Sequence, residues 1–319
     1  MDIFAIILWP IKWAIEAILV GFHTLFTAIG LESEAGLTWV LSIAGLVVVV
    51  RAALIPIFVR QIKNQRKMLE ISPDLKKIQD KYRGKRDQFS REAMSRETMA
   101  LYKKHGTNPL SSCLPILLQM PIFFGLFSVL NSSFNGLSGV GLLNDQLSAE
   151  FGRATLFGIA PLGSTMVNSD GNVWVIVIAA VLIVLMTASQ FITQLQIMSK
   201  NQSPEMKASP MYRQQRILLY ILPVVFLFSG VAFPLGVMFY WFVSNIWTMV
   251  QQFIVIRNMP TPGSDAAIAR EARLAKRRQR RGIDDTELEA EGTIAVEEPK
   301  KPQRAQPVNK NRAKKKGGR

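Results

Sequence analysis

Gly36 to Phe58 reads GLTWVLSIAGLVVVVRAALIPIF, 23 residues with a single charge, Arg51. As a helix rising 1.5 Å per residue it would extend about 35 Å, enough to cross a hydrocarbon core of about 30 Å. Four further stretches have the same character, at residues 114–133, 173–193, 217–233 and 235–256. The expected fold class is therefore an all-α membrane protein with five transmembrane helices. The 319 residues carry 38 Lys and Arg against 23 Asp and Glu, a net charge of +15, and a mean hydropathy of +0.20 that blends apolar spans with a polar tail.

Bases alternate between the connections. Residues 59–113 hold 14 Lys or Arg and residues 192–216 hold four, whereas residues 131–172 have only Arg153; the segment from Arg257 to Arg319 adds 17. By the positive-inside rule the basic connections and the C-terminus face the cytosol, and the 134–172 connection and the N-terminal segment face the exterior. Residues 1–30 form a sixth apolar stretch, but Lys12, Glu16 and His23 fall near one helical face. An amphipathic interfacial helix is expected there, in preference to a sixth span or a cleaved signal sequence.

The 59–113 segment predicts a cytosolic helical hairpin. Ser72 and Pro73 supply a cap and first turn, LKKIQDKY continues the helix, Gly84 suits a reversal, and a second helix from about Asp87 to His105 stops at Gly106. Lys76, Lys77, Lys81, Arg83, Lys85 and Arg86 make it a basic handle, for a partner or simply solvated. The tail, residues 257–319, predicts one helix at Ser264 to Arg281 and otherwise disorder. Its basic blocks, with Arg277, Arg278, Arg280 and Arg281 in the first and Lys314, Lys315 and Lys316 in the last, suit ribosomal RNA, an anionic lipid surface, or a topology signal.

Arg51 lies seven residues, about 10 Å, before Phe58 and cannot shed its charge. Either it snorkels to the interface or it lines a wet cavity inside the bundle. Gln119 in the second span and Thr187, Gln190 and Gln194 on one face of the third are candidate companions in such a groove, while Asn245 suits interhelical packing. No span supplies an obvious carboxylate for Arg51, so its counterpart would be external or transient. Prolines 56, 115, 121, 223 and 234 can kink helices and open a groove. The sequence holds no GxxxxGK loop and no HExxH pair. One cysteine, Cys113, and two histidines leave few metal ligands. Ser111 and Ser112 near His105 lack an acidic third member, and LSSC at 110–113 is too far along the chain for a lipoprotein signal. No cofactor, metal or covalent catalysis is expected.

Two longer motifs carry a family likeness. NPLSSCLPILLQMPIFFGLF at Asn108 to Phe127 and FPLGVMFYWFVSNIWTMVQQ at Phe233 to Gln252, with Arg51 in VRAALIP and the basic hairpin between the first two spans, resemble the YidC family of membrane protein insertases, in the bacterial form without a large periplasmic domain. The likeness runs in order over roughly residues 6–256; Ser112 stands where the family pattern often has glycine. It implies a bacterial plasma-membrane location and a five-helix core whose groove opens to cytosol and lipid and is sealed toward the exterior. It further implies Arg51 as the intramembrane arginine, Gln190 as the groove glutamine, Trp9 to Phe26 as the interfacial helix, and a ribosome-binding tail as in some members.

Nascent membrane proteins would be the clients, with the ribosome, the Sec translocon and membrane lipids as partners. The physics of insertion is compatible: a hydrophobic segment moves sideways into lipid while its polar flank rests in the groove, with no ATP at this protein. A small-solute transporter with an anion site at Arg51 would want paired repeats, which the five spans do not supply. A membrane scaffold anchoring ribosomes through the tail is the third class, and tail deletion separates it from an insertase.

Overall fold

The computed structural model describes residues 3–85, 87–107, 114–207 and 210–281. Its helices are α1 (Ile3–Ala28), α2 (Gly36–Glu70), α3 (Ser72–Lys81), α4 (Gln88–Lys104), α5 (Leu114–Phe134), α6 (Asp145–Arg153), α7 (Val173–Lys200), α8 (Pro204–Lys207), α9 (Pro210–Gly230), α10 (Leu235–Asn258) and α11 (Asp265–Gln279). Two-residue strands β1 (Thr155–Leu156) and β2 (Ala160–Pro161) pair antiparallel. The all-α class holds.

Four helices are long and apolar enough to cross a membrane, at Leu8–Ala28, Gly36–Asn64, Leu117–Phe134 and Val173–Lys200. Two of them contain the expected spans at 36–58 and 173–193, and Leu117–Phe134 overlaps that at 114–133; the first lies in α1. The other two expected spans, at 217–233 and 235–256, are helical in α9 and α10 but more polar, because α9 begins with Arg213, Gln214, Gln215 and Arg216 and α10 carries Ser244, Asn245, Gln251 and Gln252. The outward faces are apolar throughout: Val181, Val184 and Leu185 on α7 and Ile221, Val224 and Phe228 on α9 are exposed. A water-facing surface does not sustain apolar patches of that extent, and lipid does.

α2 packs against α1 and α10, α5 against α1 and only lightly against α10, and α7 against α10 and α9. Their common core gathers Trp39, Leu130, Phe151, Leu162, Val175 and Met238 and lies toward the 134–172 connection. Burial then stops abruptly. On α2 the last buried span residue is Val47, and no described side chain from Val48 to Asn64 is buried; on α5 none from Leu117 to Phe124 is, and burial starts at Gly125. Along α2 and α5 the bundle is a tight plug at one end and splayed at the other, while α7 and α10 keep Ser189, Thr193, Met198 and Val255 buried there.

The 134–172 connection contains structure that its sequence hid. α6 starts from Asn144, whose side-chain oxygen accepts the Leu147 N–H at 2.9 Å, an ordinary N-cap. β1 and β2 are too short to show a period. Gly36 meets β1 so closely that a Cβ there would stand 2.5 Å from the Thr155 carbonyl carbon, which explains glycine at the first residue of α2.

In α1 the polar residues point into the protein. Glu16 is buried and accepts the backbone N–H groups of Val140 at 2.8 Å and Gly141 at 2.6 Å. His23 is buried and stacks on Trp39 with centroids 4.0 Å apart, and Trp39 stacks on Phe151 at 4.4 Å. His23 Nε2 lies 3.0 Å from the Ser33 carbonyl oxygen, so that nitrogen carries the proton. The exposed side carries Ile6, Trp9, Trp13 and Leu25. The three polar residues, expected near one helical face, thus include two that fasten α1 to the protein.

The Ser33 hydroxyl also donates to Glu150 Oε2 at 2.5 Å. That bond, helped by the Gln146 amide, holds the Glu150 carboxyl below its usual value against the opposing effect of burial. A depressed folded-state pKa gives a contribution that is complete above the unfolded value of about 4.3 and disappears as pH falls through the folded one. Acidification below about pH 4 is therefore expected to destabilise the wild-type chain more than Glu150→Gln, measured as unfolding midpoints over a pH series. Parallel curves would remove Glu150 from the acid response.

The hairpin forms with two corrections. α2 continues as helix to Glu70, so the 59–113 segment begins helical, and the N-cap of α3 is Ile71, with no side-chain cap bond, in place of Ser72. The chain passes almost directly from α2 into α3, leaving no extended residue for Ser72 to cap. Pro73 does sit in the first turn, Gly84 (φ +85°) makes the reversal, Asp87 accepts the Ser90 N–H at 2.8 Å as N-cap of α4, and Gly106 (φ +59°) follows the C-cap His105. α3 and α4 are pinned where Glu97 accepts from Lys81 at 2.5 Å and from the Tyr82 hydroxyl at 2.9 Å; these bonds, Lys81 first, lower the Glu97 pKa. Neither helix buries a residue, and Phe89 is 83% exposed.

Two units compose the chain, residues 1–270 and 271–319. Of the second, 271–281 is described, the end of α11.

Candidate groove at the splayed end of the bundle

Arg51 stands 15 residues after Gly36 in α2, and Gln119 stands 15 residues before Phe134 in α5. At 1.5 Å per residue both lie about 22 Å from the plugged ends of their helices, just where burial has ceased. Both are half-buried, and both reach to α10. The Arg51 guanidinium donates through Nη2 to the Ser244 hydroxyl, and the Gln119 amide donates to the Tyr240 hydroxyl at 3.0 Å. Tyr240 and Ser244 are four apart, so they share one face of α10.

Ser244 is neutral, and among the described residues no carboxylate pairs with Arg51. A hydroxyl can orient a guanidinium without cancelling its charge. The splayed end therefore presents a fixed positive charge with two neutral polar neighbours, in a segment whose outer surface faces lipid.

The α7 residues are arranged differently. Thr187, Gln190 and Gln194 are half-buried, and the Thr187 hydroxyl is enclosed with no hydrogen-bond partner among the described residues. Among the described residues they form no hydrogen bond with Arg51; α10 is the helix on which both α2 and α7 pack. Asn245 joins α10 to α7 by donating to the Met186 carbonyl at 3.2 Å. Tyr240 and Ser244 were missed from sequence. Their signal was available: two polar groups at helical spacing inside an apolar span, the test that singled out the α7 trio.

Elsewhere, Lys76, Lys77, Lys81, Arg83 and Lys85 are exposed on the hairpin, with Lys77 paired to Asp74 at 2.8 Å. Arg277, Arg280 and Arg281 are exposed and Arg278 is half-buried at the end of α11. Arg86, the 108–113 segment with Ser111, Ser112 and Cys113, and Lys314, Lys315 and Lys316 lie outside the described residues.

Residues 30–262 match the family described as 60Kd inner membrane protein. Over 316 residues the chain is 44% identical to the membrane protein insertase YidC of Tropheryma whipplei, an alignment covering 97% of this chain and 96% of that one. The chain belongs to the YidC family of membrane protein insertases. The YidC of Bifidobacterium longum is 34% identical over 320 residues, 97% of this chain and 95% of that relative, and the YidC of Streptomyces avermitilis is 44% identical over 283 residues, 86% and 63% respectively. As a YidC-family protein the chain is a multi-pass membrane protein that inserts other membrane proteins. Its substrates are nascent membrane proteins and its medium is lipid. Family membership decides for insertion over the solute-transporter and ribosome-scaffold alternatives.

Proposed function

We propose that insertion runs through a hydrophilic groove between α2, α5, α7 and α10, with Arg51 as its fixed charge and Gln119, Gln190 and Gln194 as further polar lining, the enclosed Thr187 hydroxyl standing behind it. The observation that carries this is the loss of burial beyond Val47 on α2 and before Gly125 on α5, at the level where Arg51 and Gln119 turn to α10. A client's acidic flank is drawn to Arg51 while its apolar segment passes sideways into lipid, gaining about 25 cal/mol per Å² of apolar surface removed from water. The membrane potential pulls the flank outward by roughly 2.3 kcal/mol per charge per 100 mV. The process is non-covalent and uses no nucleotide at this protein.

The orientation follows the charge count: the splayed end, hairpin and tail in the cytosol, the plug and the N-terminal segment outside, in a bacterial plasma membrane. α1 lies along the outer interface; in support, Trp13, Glu16 and His23 all keep contact with the 139–141 segment, Ser33 or Trp39, whereas an upright helix would move away from them within two turns. The hairpin receives the client, the ribosome docks through the basic tail residues, and the Sec translocon shares part of the work.

Groove hydration is tested with single cysteines in a Cys113→Ser background. Gln119→Cys and Gln190→Cys are expected to react with a membrane-impermeant maleimide from the hairpin side, and Ala179→Cys, fully buried in the plug, is not. Equal protection at all three positions would refute the groove. For the hairpin, deletion of residues 72–104 is expected to lower insertion in sealed vesicles severalfold, and normal insertion by a correctly folded deletion would remove its receiving role.

A further inference from the structure

The turn between β1 and β2 is built against the grain of its sequence. Leu156, Phe157, Gly158 and Ile159 form it, closed by the Ile159 N–H donating to the Leu156 carbonyl at 3.1 Å. Phe157 has φ +54° and Gly158 φ +72°, the two left-handed central residues of a type I′ turn. Asn, Asp or Gly is at ease in the first of these positions; a bulky aromatic residue is strained. Phe157 recovers little from the protein in exchange: it borders a shallow recess with Glu34, Leu37 and Arg153 but is 74% exposed. A strained residue whose large apolar side chain is mostly exposed calls for a partner outside the fold.

The position of the turn says what that partner is. β1 bridges to Ala35 beside the first residue of α2, and the Asn172 amide, at the N-cap of α7, donates to the Ile159 carbonyl at 2.7 Å. The turn is thus tied between the starts of two membrane-crossing helices. Leu37 on α2 and Val173 and Trp174 on α7 are exposed at the same level, and Trp is the side chain most at home where headgroups meet acyl chains. Through Asn172 the turn adjoins the start of α7, where Val173, Trp174 and Val177 are exposed.

We propose that the Phe157 turn is a lipid anchor, seating Phe157 and Ile159 in the interfacial layer of the leaflet on the 134–172 side, beside Trp174. It fixes the depth of α2 and α7 in the bilayer, and hence of the polar side chains they carry. The full-length chain with Cys113→Ser and Phe157→Cys, spin-labelled, is reconstituted in vesicles of phosphatidylethanolamine and phosphatidylglycerol. Label collisions with oxygen, which concentrates in lipid, are compared with those of a water-soluble nickel chelate. Asp170→Cys serves as aqueous reference and Val181→Cys as lipid reference. A second probe at Ile159→Cys leaves Phe157 in place. At both turn positions oxygen is expected to dominate several-fold relative to Asp170, at a depth of about 5–10 Å. A nickel-dominated reading like that of Asp170 at either turn position overturns the anchor. Because the readout is depth, the anchor and the groove stand or fall separately.

Discussion

Arg51→Ala is expected to reduce insertion of single-spanning clients with an acidic translocated flank by about tenfold to a hundredfold, or ~1.4–2.8 kcal/mol of barrier, while Arg51→Lys keeps most of the activity. At an effective dielectric constant of 20, opposite charges 4 Å apart attract by about 4 kcal/mol, and the flank gives up part of its hydration to approach. A loss near half of the gross attraction is the consistent magnitude. The structure sharpens this expectation, because Arg51 is held by a neutral hydroxyl of Ser244 and keeps its whole charge for the client. The measurement is protease-protected insertion into sealed vesicles, with empty vesicles as baseline and a client bearing a neutral flank as control. Normal insertion by both variants would remove the electrostatic role, and equal loss with acidic and neutral flanks would assign Arg51 to bundle stability instead.

Trp39→Ala should be the most destabilising simple truncation in the plug. Trp39 is fully buried, between His23 at 4.0 Å and Phe151 at 4.4 Å, so its removal loosens the packing of α1, α2 and α6 together. Loss of a buried aromatic side chain costs about 3–5 kcal/mol, the larger values where the surroundings cannot collapse. Trp39→Phe should be much milder. Its ring restores the stack, and it deletes an indole N–H that is buried with no hydrogen-bond partner among the described residues, removing an unmet desolvation cost of about 1–3 kcal/mol. Unfolding midpoints in one detergent should rank wild type and Trp39→Phe together, with Trp39→Ala well below; a Phe variant as unstable as the Ala variant would mean the indole itself is indispensable.

The spans at 36–58, 114–133 and 173–193 were legible because apolarity over twenty residues is a strong signal, and the hairpin because Pro73, Gly84, Asp87 and Gly106 each mark a helix end by a local mechanism. The extension of α2 to Glu70 was not legible from apolarity, since its last turns are polar and the hydrophobic run ends at Phe58. α6 and the β1–β2 turn were hidden for a related reason: nine residues and two-residue strands hold too little period to detect. In the groove, Arg51 and Gln119 could be named individually because each is polar in an apolar run. Their shared attachment to Tyr240 and Ser244 is a relation between distant segments, which spacing along the chain does not encode. The shared face of Glu16 and His23 was legible, but their partners inside the protein, the 140–141 backbone and Ser33, were not.

α10 has a consequence for how the chain itself is made. Arg51 and Ser244 are 193 residues apart and Gln119 and Tyr240 are 121 apart. At 5–20 residues per second, the first interval takes roughly 10–40 s of synthesis. Throughout that time α2 exists without the hydroxyl that holds Arg51, and α5 and then α7, as each is made, wait without Tyr240 and Asn245. A newborn copy therefore carries an arginine in an apolar helix, without the hydroxyl that later holds it, until α10 has been made.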